Sequence, residues 1–229
     1  MALTLPSPAK IKASQFRLGR QQAFNPLRGG QHQAVDMGEP LWSCEIQTTP
    51  LSRAQGGTWK YFIASTRGFL RTLFLHDASR PRPLAYASAA DATLEKIGHA
   101  QIKKIGRPRK IASLARAWGR PKIVALDRSN SRVLVAGYVA GAVIGDGDYG
   151  HWDDGPTRRL HICAAVIADS AGRAWVTVEP APPETSANLP AAFEMHRASA
   201  EMVVVESAAP FALTHHEATI RGVQVLRRS

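Results

Sequence analysis

Apolar and polar residues alternate along Leu41–Thr48, and this is the clearest strand pattern in the chain. In an extended chain successive side chains point to opposite faces, so every second residue shares a face. Pro50 has no N–H to give to a neighbouring strand. The pattern therefore predicts a half-buried strand that ends before Pro50. Its inner face would carry Trp42, Cys44, Ile46 and Thr48.

A capped helix is predicted to follow over residues 52–66. Ser52 stands where an N-cap belongs, and Gln55 lies three residues later, which is the spacing of a capping box. Three apolar side chains are spaced i, i+3 and i+4, so they would share one helical face. These residues are Trp59, Phe62 and Ile63.

Two glycines, Gly56 and Gly57, weaken the first turns of this helix by roughly 1 kcal/mol each relative to alanine. We therefore expect the helix to depend on packing of its apolar face. A second strand is predicted over residues 69–75, so the segment would fold as strand, helix, strand. The structural core expected from it comprises Trp42, Ile46, Trp59, Phe62, Ile63 and Phe74.

Short apolar segments separated by turn residues continue through the C-terminal half, which indicates further strands. They lie at 123–126, 132–140, 160–168, 173–179, 193–196, 201–206 and 219–226. Residues 169–172 have the composition of a hairpin turn. We expect residues 145–155, which are rich in aspartate and glycine, and the proline-rich residues 180–190 to be loops.

The fold class predicted from these patterns is mainly β (α+β). We expect a β-barrel or sandwich with one short helix packed on an N-terminal sheet, plus a second β-rich part. Three segments are expected. They are an N-terminal barrel or sheet over 1–87 with the helix 52–66, a basic helical or loop insertion over 88–122, and a β-rich part over 123–229.

The N-terminal segment resembles the distal-tail and minor tail structural proteins of long-tailed (siphovirus-type) bacteriophages. The resemblance covers roughly residues 14–78, with a looser one over about 132–205. It is carried by Phe16-Arg17-Leu18, Gln31-His32-Gln33, Gly38 with Trp42, Leu51-Ser52-Arg53-Ala54-Gln55, Thr66-Arg67-Gly68 and Phe74-Leu75-His76-Asp77. These motifs are structural, so they indicate a fold family more strongly than an activity.

The resemblance implies a virion structural protein at the tail tip or baseplate. Such a subunit forms a homo-oligomeric ring, most often a hexamer, that connects the tail tube protein to hub and fibre proteins. DNA passes through the lumen of the ring. The protein would be assembled in the host cytoplasm and end in the virion. It implies no enzymatic activity and no cofactor.

The net charge of +11 is concentrated in the segment 96–122. A strong basic excess indicates contact with nucleic acid or with an acidic partner. The alternative function is therefore a DNA-binding accessory protein that uses this segment, with a Gly-Arg-Pro core suited to a minor groove. The other interpretation is a solvated basic surface on a ring subunit. The candidate contacts are Lys103, Lys104, Arg107, Arg109, Lys110 and Arg120.

The remaining polar residues indicate no catalytic or metal site. Asp146-Gly147-Asp148 begins like a calcium loop, but Thr157 stands where the twelfth-position glutamate belongs. His215 and His216 are adjacent, so in a strand they would face opposite ways. Cys44 and Cys163 are expected to be buried thiols. No apolar run reaches the length needed to span a bilayer, so we expect no membrane contact.

The aromatic residues of the N-terminal segment leave one further interpretation open. Trp42, Trp59 and Phe62 could form a platform for carbohydrate. Large aromatic side chains are more often buried in a core, and we expect a core here.

Overall fold

A computed structural model describes residues 5–6, 11–20, 22–26, 32–36, 38–67, 70–86, 119–155, 157–184, 188–208 and 217–225. This part of the chain is mostly β, with one α-helix, a nearly closed β-barrel sheet and a half-barrel sheet. The predicted fold class is confirmed. Residues 88–118 of the basic helical or loop insertion expected over 88–122 lie outside the described residues.

The described fold has fifteen strands, one α-helix and a short 3₁₀ helix at Leu84–Tyr86. In chain order the strands and the α-helix are β1 Ile11–Gly19, β2 Gln22–Pro26, β3 His32–Asp36, β4 Leu41–Thr48, α1 Arg53–Thr66, β5 Thr72–His76, β6 Gly119–Asp127, β7 Arg132–Tyr138, β8 Val143–Ile144, β9 Asp148–Asp154, β10 Thr157–Cys163, β11 Val166–Ile167, β12 Arg173–Glu179, β13 Ala191–Ala192, β14 Ser199–Ala208 and β15 Thr219–Gln224.

The chain divides into two compact units. The first unit consists of Met1–Ser79 together with Ala200–Arg228, and the second unit of Arg80–Ser199. These units differ from the three segments expected from the sequence, because β14 and β15 join a sheet with β4 rather than with β6 to β13. The hydrophobic pattern of a strand shows that one of its faces is buried. It does not show which other strand is its hydrogen-bonded neighbour.

The first unit is built on a five-stranded sheet in the order β1-β4-β15-β14-β5. Strand β4 pairs antiparallel with β1 on one side and β15 on the other, so that Phe16 and Gly222 both lie opposite Cys44. A separate hairpin is formed by β2 and β3. The alternation of Leu41–Thr48 thus places its apolar face on the core, where Trp42 and Ile46 are almost fully buried.

Helix α1 has the predicted capping box. The Ser52 hydroxyl accepts from the Gln55 backbone N–H at 3.3 Å, and the Gln55 side chain accepts from the Ser52 N–H at 2.9 Å. Arg67 ends the helix in the left-handed conformation. Trp59 and Phe62 are buried on one face, with ring centroids 5.8 Å apart in an edge-to-face arrangement.

The second unit is built on a six-stranded sheet in the order β13-β6-β7-β12-β10-β9. The sheet curls back on itself, because His151 of β9 forms an antiparallel bridge with Glu194, two residues beyond β13. Two short strands, β8 and β11, pair separately. The core inside this sheet contains Ile123, Val133, Val135, Trp152, Val176, Val178 and Phe193.

Two expectations within the second unit were wrong. The aspartate- and glycine-rich segment 145–155 contains strand β9, in which Asp148, Gly150 and Trp152 are buried. Gly150 is required there because a Cβ would collide with the ring of Phe193. The segment 193–196 was expected to be a strand, but only Glu194 forms a bridge.

Candidate functional site

The predicted core residues of the first unit are placed as follows. Trp42, Ile46, Trp59 and Phe62 are buried, whereas Ile63 and Phe74 are half-buried. In β5 the fully buried side chains are Leu73 and Leu75, so the inner face of that strand is the one opposite to Phe74. Burial of the aromatic residues leaves no exposed platform for carbohydrate at Trp42, Trp59 and Phe62.

The predicted contacts to DNA or an acidic partner fall mostly outside the described residues. This applies to Lys103, Lys104, Arg107, Arg109 and Lys110. Arg120 is described and is exposed at the start of β6. The role expected for this set stays a prediction.

Strand β1 ends the five-stranded sheet, so one of its sides faces away from β4. It is nine residues long, and Lys12, Gln15 and Arg17 are among its side chains at the surface. Charged residues on an edge strand discourage indiscriminate pairing. A long edge with only partial protection is also a surface on which a partner strand can add.

A charged row crosses the outer face of the same sheet. The register places Gln15, Glu45, Arg221 and Glu206 side by side on β1, β4, β15 and β14. The Arg221 guanidinium donates to Glu206 at 2.6 Å and to Glu45 at 3.1 Å. An open groove of about 190 Å³ lies along this row.

The row was not found from the sequence, because its members are distant in the chain and no motif links them. Arg221 is 176 residues from Glu45. Each residue by itself looks like an ordinary exposed charge on a strand. The two carboxylates raise the pKa of the Arg221 guanidinium, with Glu206 the larger cause.

The carboxylates of the aspartate-rich segment bind groups of the protein itself. The Asp148 carboxylate accepts from the backbone N–H groups of Leu84 at 2.7 Å and Gly145 at 2.8 Å. Asp146 accepts from the Ala165 N–H. These contacts hold loops in place, and they use the oxygens that a calcium site would need.

Two further aspartates of this segment are paired with arginines of β10. Asp153 receives two hydrogen bonds from Arg158, at 2.7 and 3.0 Å. Asp154 accepts from Arg159 at 3.1 Å. The bidentate hydrogen bond from Arg158 lowers the pKa of the Asp153 carboxyl. Within the described residues, no group of three His, Cys, Asp or Glu side chains is placed to hold a metal ion.

His161 and Trp152 form a buried stack inside the six-stranded sheet. Their ring planes are 4° apart and their centroids 4.1 Å apart. His161 Nδ1 lies 2.7 Å from the Pro180 carbonyl oxygen, so Nδ1 carries the proton and donates. Burial lowers the pKa of His161 to about 3. The imidazole is therefore neutral at physiological pH.

A second buried histidine, His151, lies on the other face of β9. Its Nδ1 accepts from the Ser199 backbone N–H at 3.3 Å, which requires a neutral ring. Burial, followed by the positive charge of Arg158, lowers the pKa of His151 to about 4. Both histidines escaped the sequence analysis, since neither lies in a motif with metal or catalytic spacing.

Both cysteines are free and buried, as expected. Burial raises the pKa of the Cys44 thiol to about 12 and also raises the pKa of Cys163. Thiols of this kind are protonated at physiological pH and are poor nucleophiles. The titratable groups with the largest shifts in the described chain are thus held in structural contacts.

A scan of protein-family models and a search of curated proteins found no match for this chain. In the described residues, no helix has the length and apolar character needed to cross a membrane.

Proposed function

We propose that this chain is a structural subunit of a bacteriophage tail, located at the tail tip and assembled with copies of itself into a ring. The ring would connect the tail tube to hub and fibre proteins. The observation that carries this proposal is the run of motifs between residues 14 and 78 that resembles tail proteins and lies within the first unit. Those residues contribute β1, β4, the capped helix α1 and β5, and the later strands β15 and β14 complete the sheet between β4 and β5.

The form of the first unit supports an assembly role. Its sheet has two end strands, β1 and β5. Association by addition to a sheet edge uses backbone hydrogen bonds and needs no catalytic residue. A ring requires a head-to-tail contact between two different surfaces of the same subunit. The Ala78 N–H, two residues beyond β5, donates to the Ser14 hydroxyl of β1 at 3.2 Å, so the two surfaces would come from the parts of β1 and β5 away from this contact.

The charged row offers a means of selecting the partner. Glu45, Arg221 and Glu206 form an ordered polar surface beside the β1 edge. Exposed ion pairs contribute little to stability. They do favour partners of complementary charge and disfavour others.

The oligomeric state tests the proposal directly. Size-exclusion chromatography with light scattering should show a ring of several 24.8 kDa chains, six if the resemblance extends to stoichiometry. Arg17→Glu, which reverses a charge on the β1 edge, should shift the population towards monomer. Arg53→Glu makes the same charge change on α1 and serves as the matched control.

A monomer at every concentration and salt level would argue against the ring.

The location of the chain in the virion provides the second test. Electron microscopy of virions labelled with an antibody against this chain should place the label at the tail tip. Label on the head, or on no virion structure, would reject the assignment to the tail.

The second candidate function, a DNA-binding accessory protein, is carried by the charge of segment 96–122. Replacing Arg107, Arg109 and Lys110 by alanine separates the two functions. If duplex binding and its steep salt dependence disappear while assembly is kept, the segment has a DNA role of its own.

A further inference from the structure

The outer face of the second unit carries an exposed tryptophan among cationic side chains. Strands β6, β7 and β12 lie side by side there, and their alternate residues point away from the core. The inward residues Val133, Val135 and Val176 have no exposed surface. The outward ones, which we call the tryptophan face, include Lys122, Val124, Arg132, Leu134, Arg173 and Trp175.

The strand register fixes the arrangement of this face. Trp175 lies opposite Leu134, and Leu134 lies opposite Ala125, which forms an apolar row across three strands. Ala136 is the partner of both Arg173 and Lys122, so these two cations flank the row on one side. Arg132 of β7 flanks it on the other side.

The indole of Trp175 is held in position and is still accessible. The Arg132 guanidinium lies over one face of the Trp175 ring, with its carbon 4.6 Å from the ring centroid, and Trp175 remains 40% exposed. Asp127 accepts from the same guanidinium at 2.7 Å, which fixes its orientation. Because the guanidinium covers one face of the indole, a planar ring would stack on the part of the indole that is still exposed.

The charge of the face favours an anionic ligand. Two of its carboxylates, Asp127 and Asp169, each pair with one arginine, Arg132 and Arg173, and Glu179 at the end of β12 is a third on the same side of the strand. Lys122 and Arg120, both exposed, add two more cations along β6. The face is therefore net positive around an apolar centre, the combination found where phosphates and bases are bound together.

We propose that the tryptophan face binds single-stranded nucleic acid, with a base stacked on Trp175 and the backbone phosphates beside Lys122 and Arg173. An unpaired base is required because the bases of a duplex are already stacked on one another and are not available to the indole. An acidic protein surface would use the cations but would gain nothing from the exposed indole. This inference is independent of the tail assignment, and of the segment 96–122 it uses only Arg120 and Lys122.

Fluorescence anisotropy with a labelled oligothymidylate of about 15 nucleotides, within the site sizes of such surfaces, tests the proposal on the full chain. Trp175→Ala should weaken binding about tenfold, and Trp175→Phe should retain most of it, because a base stacks on either aromatic ring. The double variant Lys122→Ala/Arg173→Ala should bind more weakly and show a smaller salt dependence.

Matched controls distinguish binding at the tryptophan face from nonspecific attraction of the oligonucleotide to a basic protein. Arg53→Ala/Arg67→Ala removes two cations from α1 and its C-terminal residue and should leave the affinity unchanged. Circular dichroism of each variant checks that the fold is kept. Trp175→Ala and Lys122→Ala/Arg173→Ala test the same surface by different substitutions.

Four results would overturn the proposal. They are no binding of the oligonucleotide by the wild-type chain, wild-type affinity in Trp175→Ala, equal affinity for polyglutamate, and loss of binding only when Arg107, Arg109 and Lys110 are replaced. Oligomeric state, measured on the same samples, reports separately on the tail assignment.

Discussion

Trp152 Nε1 and His161 Nε2 are both buried without a hydrogen-bond partner, although the two rings stack 4.1 Å apart. Buried polar atoms of this kind are rare, and each carries a desolvation cost. Because the stack already holds one unsatisfied nitrogen on each ring, adding a charge to it is unfavourable. The pair therefore makes the second unit sensitive to acid.

Stability should fall as the pH decreases from about 6.5 to about 4. The folded-state pKa of His151 is about 4 and that of His161 about 3, whereas an unperturbed histidine has 6.5. Below pH 6.5 the unfolded chain binds protons that the folded chain does not, so the free energy of unfolding decreases. Each unit of pKa difference corresponds to about 1.4 kcal/mol.

Urea denaturation at a series of pH values checks this expectation. His161→Phe keeps an aromatic ring against Trp152 and removes the titration, so its stability should depend less on pH over this range. His151→Gln should remove the other part of the dependence. Equal pH slopes in wild type and both variants would contradict the assignment.

Replacing Gly57 by alanine should stabilise helix α1. A Cβ at this position meets no atom within 4 Å. Alanine loses less backbone entropy on folding than glycine, which is worth roughly 0.5–1 kcal/mol in a helix. Thermal unfolding followed by circular dichroism should show a higher midpoint. A lower midpoint would mean that the helix surface at Gly57 is covered by a partner.

Replacing Gly172 by alanine should have the opposite effect. Gly172 has a φ of 69°, and a Cβ there would collide with the carbonyl oxygen of Tyr138. We expect a loss of roughly 3 kcal/mol or more, since strain at positive φ and a steric clash are combined. The loss would be read from chemical denaturation.

Gly141→Ala is the matched control for that clash. Gly141 also has a positive φ, of 76°, but a Cβ there meets no atom within 4 Å. It should cost about 1 kcal/mol, from backbone strain alone. Equal stability of Gly172→Ala and Gly141→Ala would contradict the steric clash expected between a Cβ at position 172 and the Tyr138 carbonyl.

Removing the N-cap hydroxyl with Ser52→Ala should cost about 1 kcal/mol, because the Gln55 N–H loses its acceptor. Ser52→Asp keeps an acceptor and should restore the stability. Ser65→Ala is a control within the same helix. The Ser65 hydroxyl donates to the Phe62 carbonyl, and its removal should matter little. Denaturation midpoints of the three variants compare them.

The sequence was most informative where structure depends on neighbouring residues. The capping box of Ser52 and Gln55 and the alternation of Leu41–Thr48 were both predicted and are both present. The strand β9 was missed because aspartate and glycine disfavour strands. Those residues are tolerated there because the Asp148 carboxylate accepts hydrogen bonds from backbone N–H groups, and because Gly150 has no Cβ to collide with the ring of Phe193.

Local chemistry alone therefore determined the mainly β class, the helix with its cap, the glycine-bearing turn before β12 and the burial of both cysteines. Only the tertiary structure decided that β14 and β15 join the first unit, that Arg221 lies between Glu45 and Glu206, and that Trp175 stands among cations. The physical reason is that alternation and capping involve residues a few positions apart, whereas strand pairing brings together residues that are distant in the chain. No periodicity within a single strand specifies its partner.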